Sequence, residues 1–179
     1  MKSALLVIDV QQALCKGRYA AFEADRVIER INTVARKARA ARIPVVFVQH
    51  ESADDLLQYG SDGWKLAEGL DSLASDLYVR KKATDSFHQT ELHPLLEKLG
   101  VTHLTICGMQ SEFCVDTTTR RALALGFPVV LVSDGHSTID NEVLSAEQII
   151  KHHNCTLINV TSFGPPIRAV AASEITFEA

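Results

Sequence analysis

The chain has 179 residues, 46% of them hydrophobic and 22% charged, which is one globular domain's worth of sequence and excludes disorder as a whole-chain state. Eighteen Lys and Arg against 22 Asp and Glu leave a net charge of -4, with no basic excess to neutralise nucleic-acid phosphates. The apolar run 4–8 meets Asp9 too soon for an export signal or a membrane span, so a cytoplasmic protein without membrane or nucleic-acid partners is expected.

Short runs rich in Val, Ile and Leu recur at 4–8, 45–48, 77–79, 104–107, 129–132 and 156–160, and they have the pattern of parallel strands buried on both faces. Between them run helical stripes: Val27, Ile28, Ile31, Val34, Ala35 and Ala38, then Leu92, Leu95, Leu96 and Leu99. Alternating strand and helix predicts right-handed crossovers and a Rossmann-like three-layer α/β/α sandwich, with a mainly parallel sheet of about six strands in one domain over 1–179. The segment 52–75, with Gly60, Gly63 and Gly69 around a lone Trp64, breaks the alternation and reads as a long loop with at most short helices. The tail 161–179 is weakly patterned, and packs across a neighbour or frays.

In such sheets a ligand binds beyond the carboxyl ends of the strands. No GxGxxG or GxxxxGK[ST] follows any strand, so nucleotide binding of the common kind is not expected. Four cysteines, Cys15, Cys107, Cys114 and Cys155, stand far apart without a CxxC pair, which argues against disulfides and structural zinc. Cys114 follows a strand and opens a helix with the inward stripe Val115, Thr118, Ala122 and Leu125. A helix amino end favours an anion, so its thiol is expected to fall from about 8.5 toward neutrality. Cys107 and Cys155 fit small buried packing residues, whereas Cys15 can reach the crevice. Asp9, ending an apolar strand, is either a general base or a turn cap. Lys81 or Lys82 can bring an ammonium to the same crevice, and a cation between a carboxylate and a thiolate lets both stay ionised.

These residues resemble the isochorismatase-like cysteine hydrolases, which include nicotinamidase and N-carbamoylsarcosine amidase. The resemblance rests on Val7-Ile8-Asp9-Val10-Gln11, on Lys81 with Asp85-Ser86-Phe87-His88 beyond it, on Gly108 through Cys114-Val115, and on Asp134-Gly135-His136-Ser137-Thr138. It covers roughly residues 4–160. It implies a triad of Asp9, Lys81 and Cys114, with Lys81 chosen by its spacing to Phe87. It further implies an oxyanion hole from the backbone amides of Gln110 and Cys114, with a cis peptide between Met109 and Gln110. The implied activity is metal-independent hydrolysis of a small amide, ureido compound or imide through a thioester, in a homo-oligomer (dimer or larger) with no cofactor. The substrate pocket is expected to be framed by Leu14, Trp64, Phe87, Met109 and Phe113, with Gln11 and His136 as its polar contacts.

The sequence departs from the family's metal-binding branch, because Gln49-His50-Glu51-Ser52-Ala53-Asp54 lacks an Asp-x-His pair. His50 is then a crevice or interface residue, and His152-His153 a solvated helix end. Leu14 stands where the family carries an aromatic residue, and Trp64 is either a lid or the local core of its loop. The competing reading is a thiol redox responder, or a small-molecule binding module, that retains the fold without hydrolysis.

Overall fold

The computed structural model describes residues 2–53 and 56–177, so Asp54, which closes the segment after the second strand, lies outside the described residues. Six strands form one parallel sheet in the order β3-β2-β1-β4-β5-β6: β1 Ser3–Ile8, β2 Val45–His50, β3 Leu77–Lys81, β4 His103–Met109, β5 Val129–Ser137 and β6 Ile167–Val170. The helices are α1 Gln12–Cys15, α2 Ala24–Ala40, α3 Leu92–Leu99, α4 Asp116–Ala124 and α5 Ala146–Leu157. The three-layer sandwich expected from the alternation is what the chain adopts.

Each strand face has its own core. Leu5 and Val7 of β1 pack with Cys107 and Met109 of β4 against the α2 stripe Val27, Ile31, Val34 and Ala38. Ala4, Leu6 and Ile8 face the other way, with Ile106, Leu92, Leu96, Val115, Ala122 and Leu157. Burial on both faces explains why these strands read as continuous apolar runs. Among the described residues no helix is long and apolar enough to cross a membrane.

Two expectations need correction. The run 156–160 is not a strand: Thr156 and Leu157 close α5, and Asn159 and Val160 turn back onto their carbonyls. A capping box, in which Ser145 and Gln148 satisfy each other's backbone N–H, starts α5 at Ala146, and the helix runs on through Thr156 and Leu157. The sixth strand lies instead in the tail, as the edge strand β6 after Pro165-Pro166. That tail does not fray over its described part. Ala172 and Ile175 are buried against α2, and Lys37 Nζ donates to the carbonyls of Ala172, Ser173 and Ile175. The long loop over 52–75 carries no helix among its described residues.

Candidate active site

The sheet order reverses direction between β1 and β4, and the crevice of an open α/β sheet forms at such a switch point. Here the two strand ends are pressed together by Gly108. It sits at φ +125°, and a Cβ added there would lie 2.0 Å from the Ile8 carbonyl oxygen, so only glycine lets β4 finish against β1. Asp9 follows immediately, in the left-handed region at φ 51°. Beyond β4 the Met109–Gln110 peptide is cis, and a π-helical turn, Ser111–Val115, carries Cys114 into α4.

Three strand ends thus deliver three groups to one point. Lys81 Nζ lies 2.7 Å from Asp9 Oδ2 and 3.1 Å from Cys114 Sγ, with its side chain wholly buried. The ammonium also reaches the Ala83 carbonyl at 3.0 Å and His50 Nδ1 at 3.1 Å. Lys82 is 82% exposed and points to Glu51, so the strand's alternation selects Lys81. Arg80 also faces away, over the Tyr59 ring at 4.3 Å. Asp9 is buried, and its Oδ1 has no hydrogen-bond partner among the described residues.

The thiol is not lowered by its helix. Burial, then the Asp9 carboxylate, push it up to about 12 against the opposing pull of Lys81. Cys114 lies in the π-helical turn ahead of α4, and desolvation there is the largest influence on its thiol. Burial alone lowers a lysine, but the charges of Asp9 and Cys114 reverse that and hold the Lys81 ammonium above its ordinary value. The resting pair is therefore ammonium with carboxylate, beside a neutral thiol. Of the other cysteines, Cys15 is buried and pushed up to about 12 by desolvation and Asp25, and Cys107 is buried and pushed up. Cys155 is exposed on α5, not packed at a strand start.

Asp9, His50 and Cys114 together offer donor atoms within 4.8 Å of one another, a set that can hold a metal ion. In this arrangement the Lys81 ammonium stands within hydrogen-bonding distance of all three and supplies the positive charge itself.

The expected pocket is only partly assembled. Gln11 is no free polar contact: its Nε2 donates to the carbonyls of His50 and Trp64, and its Oε1 accepts the His50 N–H at 2.8 Å, so the side chain is spent tying β1 to β2 and the loop. His136 is buried between Ser111 and Asn154 and offers no ring nitrogen to a ligand. Met109 is sealed in the α2-side core and Phe87 in the opposite core, stacked on Phe127, because strand and loop alternation sends them to different faces. Leu14 is half-buried against the α2-side core. Phe113 is 52% exposed, and half-buried Trp64 meets Tyr59 edge to face at 4.8 Å, so these two remain on accessible surface. A cleft of about 410 Å³, bordered by His50, Glu51, Gln58, Tyr59 and Lys82, opens beside His50, the partner of Lys81. Sequence reasoning missed Tyr59 and Glu51, which come from a loop and a strand end without a local motif. His153 is half-buried, 3.9 Å from Asp116, rather than fully solvated; His152 is exposed.

A family model described as the isochorismatase domain matches residues 3–159, and the chain belongs to the isochorismatase family. It is 41% identical over 138 residues to a streptothricin hydrolase of Streptomyces noursei, covering 76% of this chain and 50% of that protein, so it spans about half the length of that curated relative. With nicotinamidase 3 of Arabidopsis thaliana it shares 26% identity over 177 residues, covering 90% of this chain and 81% of the relative. A crystal structure of an isochorismatase family protein superposes with a TM-score of 0.86 at 36% identity, covering 94% of this chain and 98% of that one.

Proposed function

We propose that the protein is a metal-independent cysteine hydrolase that cleaves the C–N bond of a small amide, ureido compound or imide through a thioester on Cys114. The observation that carries this reading is the buried Lys81 ammonium lying between the Asp9 carboxylate and the Cys114 sulfur, three chemically distinct groups from three strand ends. The names of the relatives, a hydrolase and a nicotinamidase, support it. Asp9 takes the thiol proton as the sulfur attacks the carbonyl, and the tetrahedral oxyanion is held by the backbone N–H groups of Gln110 and Cys114. Collapse breaks the C–N bond, and the leaving amine collects the proton from Asp9. Water, its proton taken by Asp9, then attacks the thioester and releases the acid, returning the thiol. Lys81 provides the charge that keeps both partners in place. A redox role receives less support, since the group in contact with Cys114 is an ammonium, not a second thiol.

We propose further that the chain works as a homo-oligomer. Phe22 and Phe113 are large apolar side chains left exposed, and Phe113 lies on the turn that bears Cys114, which supports an apolar face for a second copy to cover.

The test is a panel of small amides, carbamoyl compounds and imides, assayed for ammonia release on chelator-treated protein beside Cys114→Ala. Turnover that needs Cys114 and survives the chelator is expected. Activity that persists in Cys114→Ala refutes the thioester route, and activity that follows near-stoichiometric zinc refutes metal independence.

A further inference from the structure

Ser111, His136 and Asn154 form a chain of side-chain hydrogen bonds that the proposed chemistry does not use. Ser111 Oγ lies 2.7 Å from His136 Nδ1, His136 Nε2 lies 3.1 Å from Asn154 Oδ1, and Asn154 Nδ2 donates to the Ser133 carbonyl at 2.8 Å. The last bond fixes the others. A carbonyl only accepts, so the Asn154 nitrogen must face Ser133 and its oxygen must face the imidazole. Nε2 then carries the ring proton, and Nδ1 keeps a lone pair for the Ser111 hydroxyl. Burial, above all, pushes the imidazole down to about 4, with His153 adding to the shift and Asn154 and Asp134 opposing it, so the ring is neutral near neutral pH.

The chain's place in the fold gives it a task. Ser111 opens the π-helical turn that carries Cys114, and both Ser111 and His136 are buried. His136 pairs in the strand ladder with Gly108, where β4 finishes against β1, and Asn154 stands on α5. The turn, whose Gln110 carbonyl accepts the N–H groups of Phe113 and Val115, is tied at Glu112 to Thr138 and at Cys114 to Lys81, and this chain fastens its first residue to β5 and α5 as well.

We propose that His136 is a positioning residue: in its Nε2–H form it accepts the Ser111 hydroxyl and fixes the turn that presents the Cys114 sulfur and the Gln110 and Cys114 backbone N–H groups to an acyl substrate. This rests on the hydrolase reading above.

The variants separate the two sides of the ring. His136→Asn keeps an acceptor near the Nδ1 position, His136→Gln keeps a donor near Nε2, and Ser111→Ala removes the hydroxyl alone. His136→Gln and Ser111→Ala are expected to lower kcat by up to about 100-fold, the scale of a small displacement of reacting groups, with KM nearly unchanged. His136→Asn should recover most of that loss. If no panel compound turns over, the rate of Cys114 alkylation replaces kcat, with the same order expected. Equal losses in the Asn and Gln variants, in proportion to lowered melting temperature, would reduce His136 to a packing residue and overturn the proposal. Imidazole ¹⁵N–¹H correlation on the wild type is the second measurement: Nε2 protonated and Nδ1 bare supports it, and the opposite tautomer overturns it whatever the substrate is. Absence of any Cys114-dependent turnover defeats the hydrolase reading instead, and the tautomer does not depend on that result.

Discussion

Lys81→Met removes one charge and little volume from the centre of the site, and its consequences follow from the four acceptors around Nζ. Asp9 Oδ2 at 2.7 Å, the Ala83 carbonyl at 3.0 Å, and Cys114 Sγ and His50 Nδ1 at 3.1 Å all lose their donor. Asp9 suffers most, since it is buried and its other oxygen has no partner among the described residues. Breaking a buried ion pair by removing one member costs about 3–5 kcal/mol. The penalty should therefore be about 3–5 kcal/mol by urea unfolding near neutral pH, while Lys82→Met, at an exposed side chain, serves as control. Lys81 is also the one group that pulls the Cys114 thiol down, so iodoacetamide should label Cys114 more slowly in the variant. A penalty below about 1 kcal/mol, or faster labelling, would refute the account of Lys81 as the charge that holds the site together.

Two further outcomes are expected. The thiols of Cys15 and Cys114, both raised from 9.0 to about 12, stay protonated when the folded chain is taken to alkaline pH, whereas the unfolded chain loses those protons near 9.0. Their stabilising contribution is complete below about pH 9 and lost as pH rises toward 12, so the melting temperature should fall through that window less steeply in Cys15→Ala and Cys114→Ala than in the wild type; an unchanged slope in both would contradict the burial of these thiols. Light scattering should return at least twice the 19.6 kDa chain mass, and a monomer mass across a wide concentration range would refute the homo-oligomer.

What the sequence disclosed and what it hid divide along a physical line. Strands buried on both faces, such as β1 and β4, are legible because their runs are almost wholly apolar, Thr105 being the one polar residue within 104–107, and the stripe of α2 because its period is 3.6. β6 was invisible: an edge strand exposes part of its length, and Ile167-Arg168-Ala169-Val170 is too short and mixed to signal one. The Asp9, Lys81 and Cys114 convergence was readable because each follows a strand end. Gln11 and His136 looked like ligand contacts for the same reason, yet their polar atoms are consumed by His50, Trp64, Ser111 and Asn154, from 18 to 53 residues away along the chain. Hydrogen-bond partners at that separation leave no mark in a local pattern. The thiol's direction was misjudged because a helix amino end is a sequence feature, whereas desolvation is a property of the finished fold.

A thiol held near 12 looks like a poor nucleophile, and the geometry resolves the difficulty. Ionising Cys114 into water would add a charge to a buried site, which is what burial and Asp9 resist. Passing the proton to Asp9 adds none. Before the transfer the site holds one ammonium and one carboxylate; afterwards it holds one ammonium and one thiolate, with a neutral carboxyl alongside. Because Nζ already stands 2.7 Å from the carboxylate and 3.1 Å from the sulfur, the cation need not move as the negative charge passes from oxygen to sulfur. Three N–H bonds also face four acceptors, so the ammonium can strengthen its bond to sulfur by releasing another partner, with His50 Nδ1 and the Ala83 carbonyl at comparable distances. On the proposed reading, the barrier is thus governed by the difference between Asp9 and Cys114 as proton holders inside the pair, and not by the distance of the thiol from neutrality.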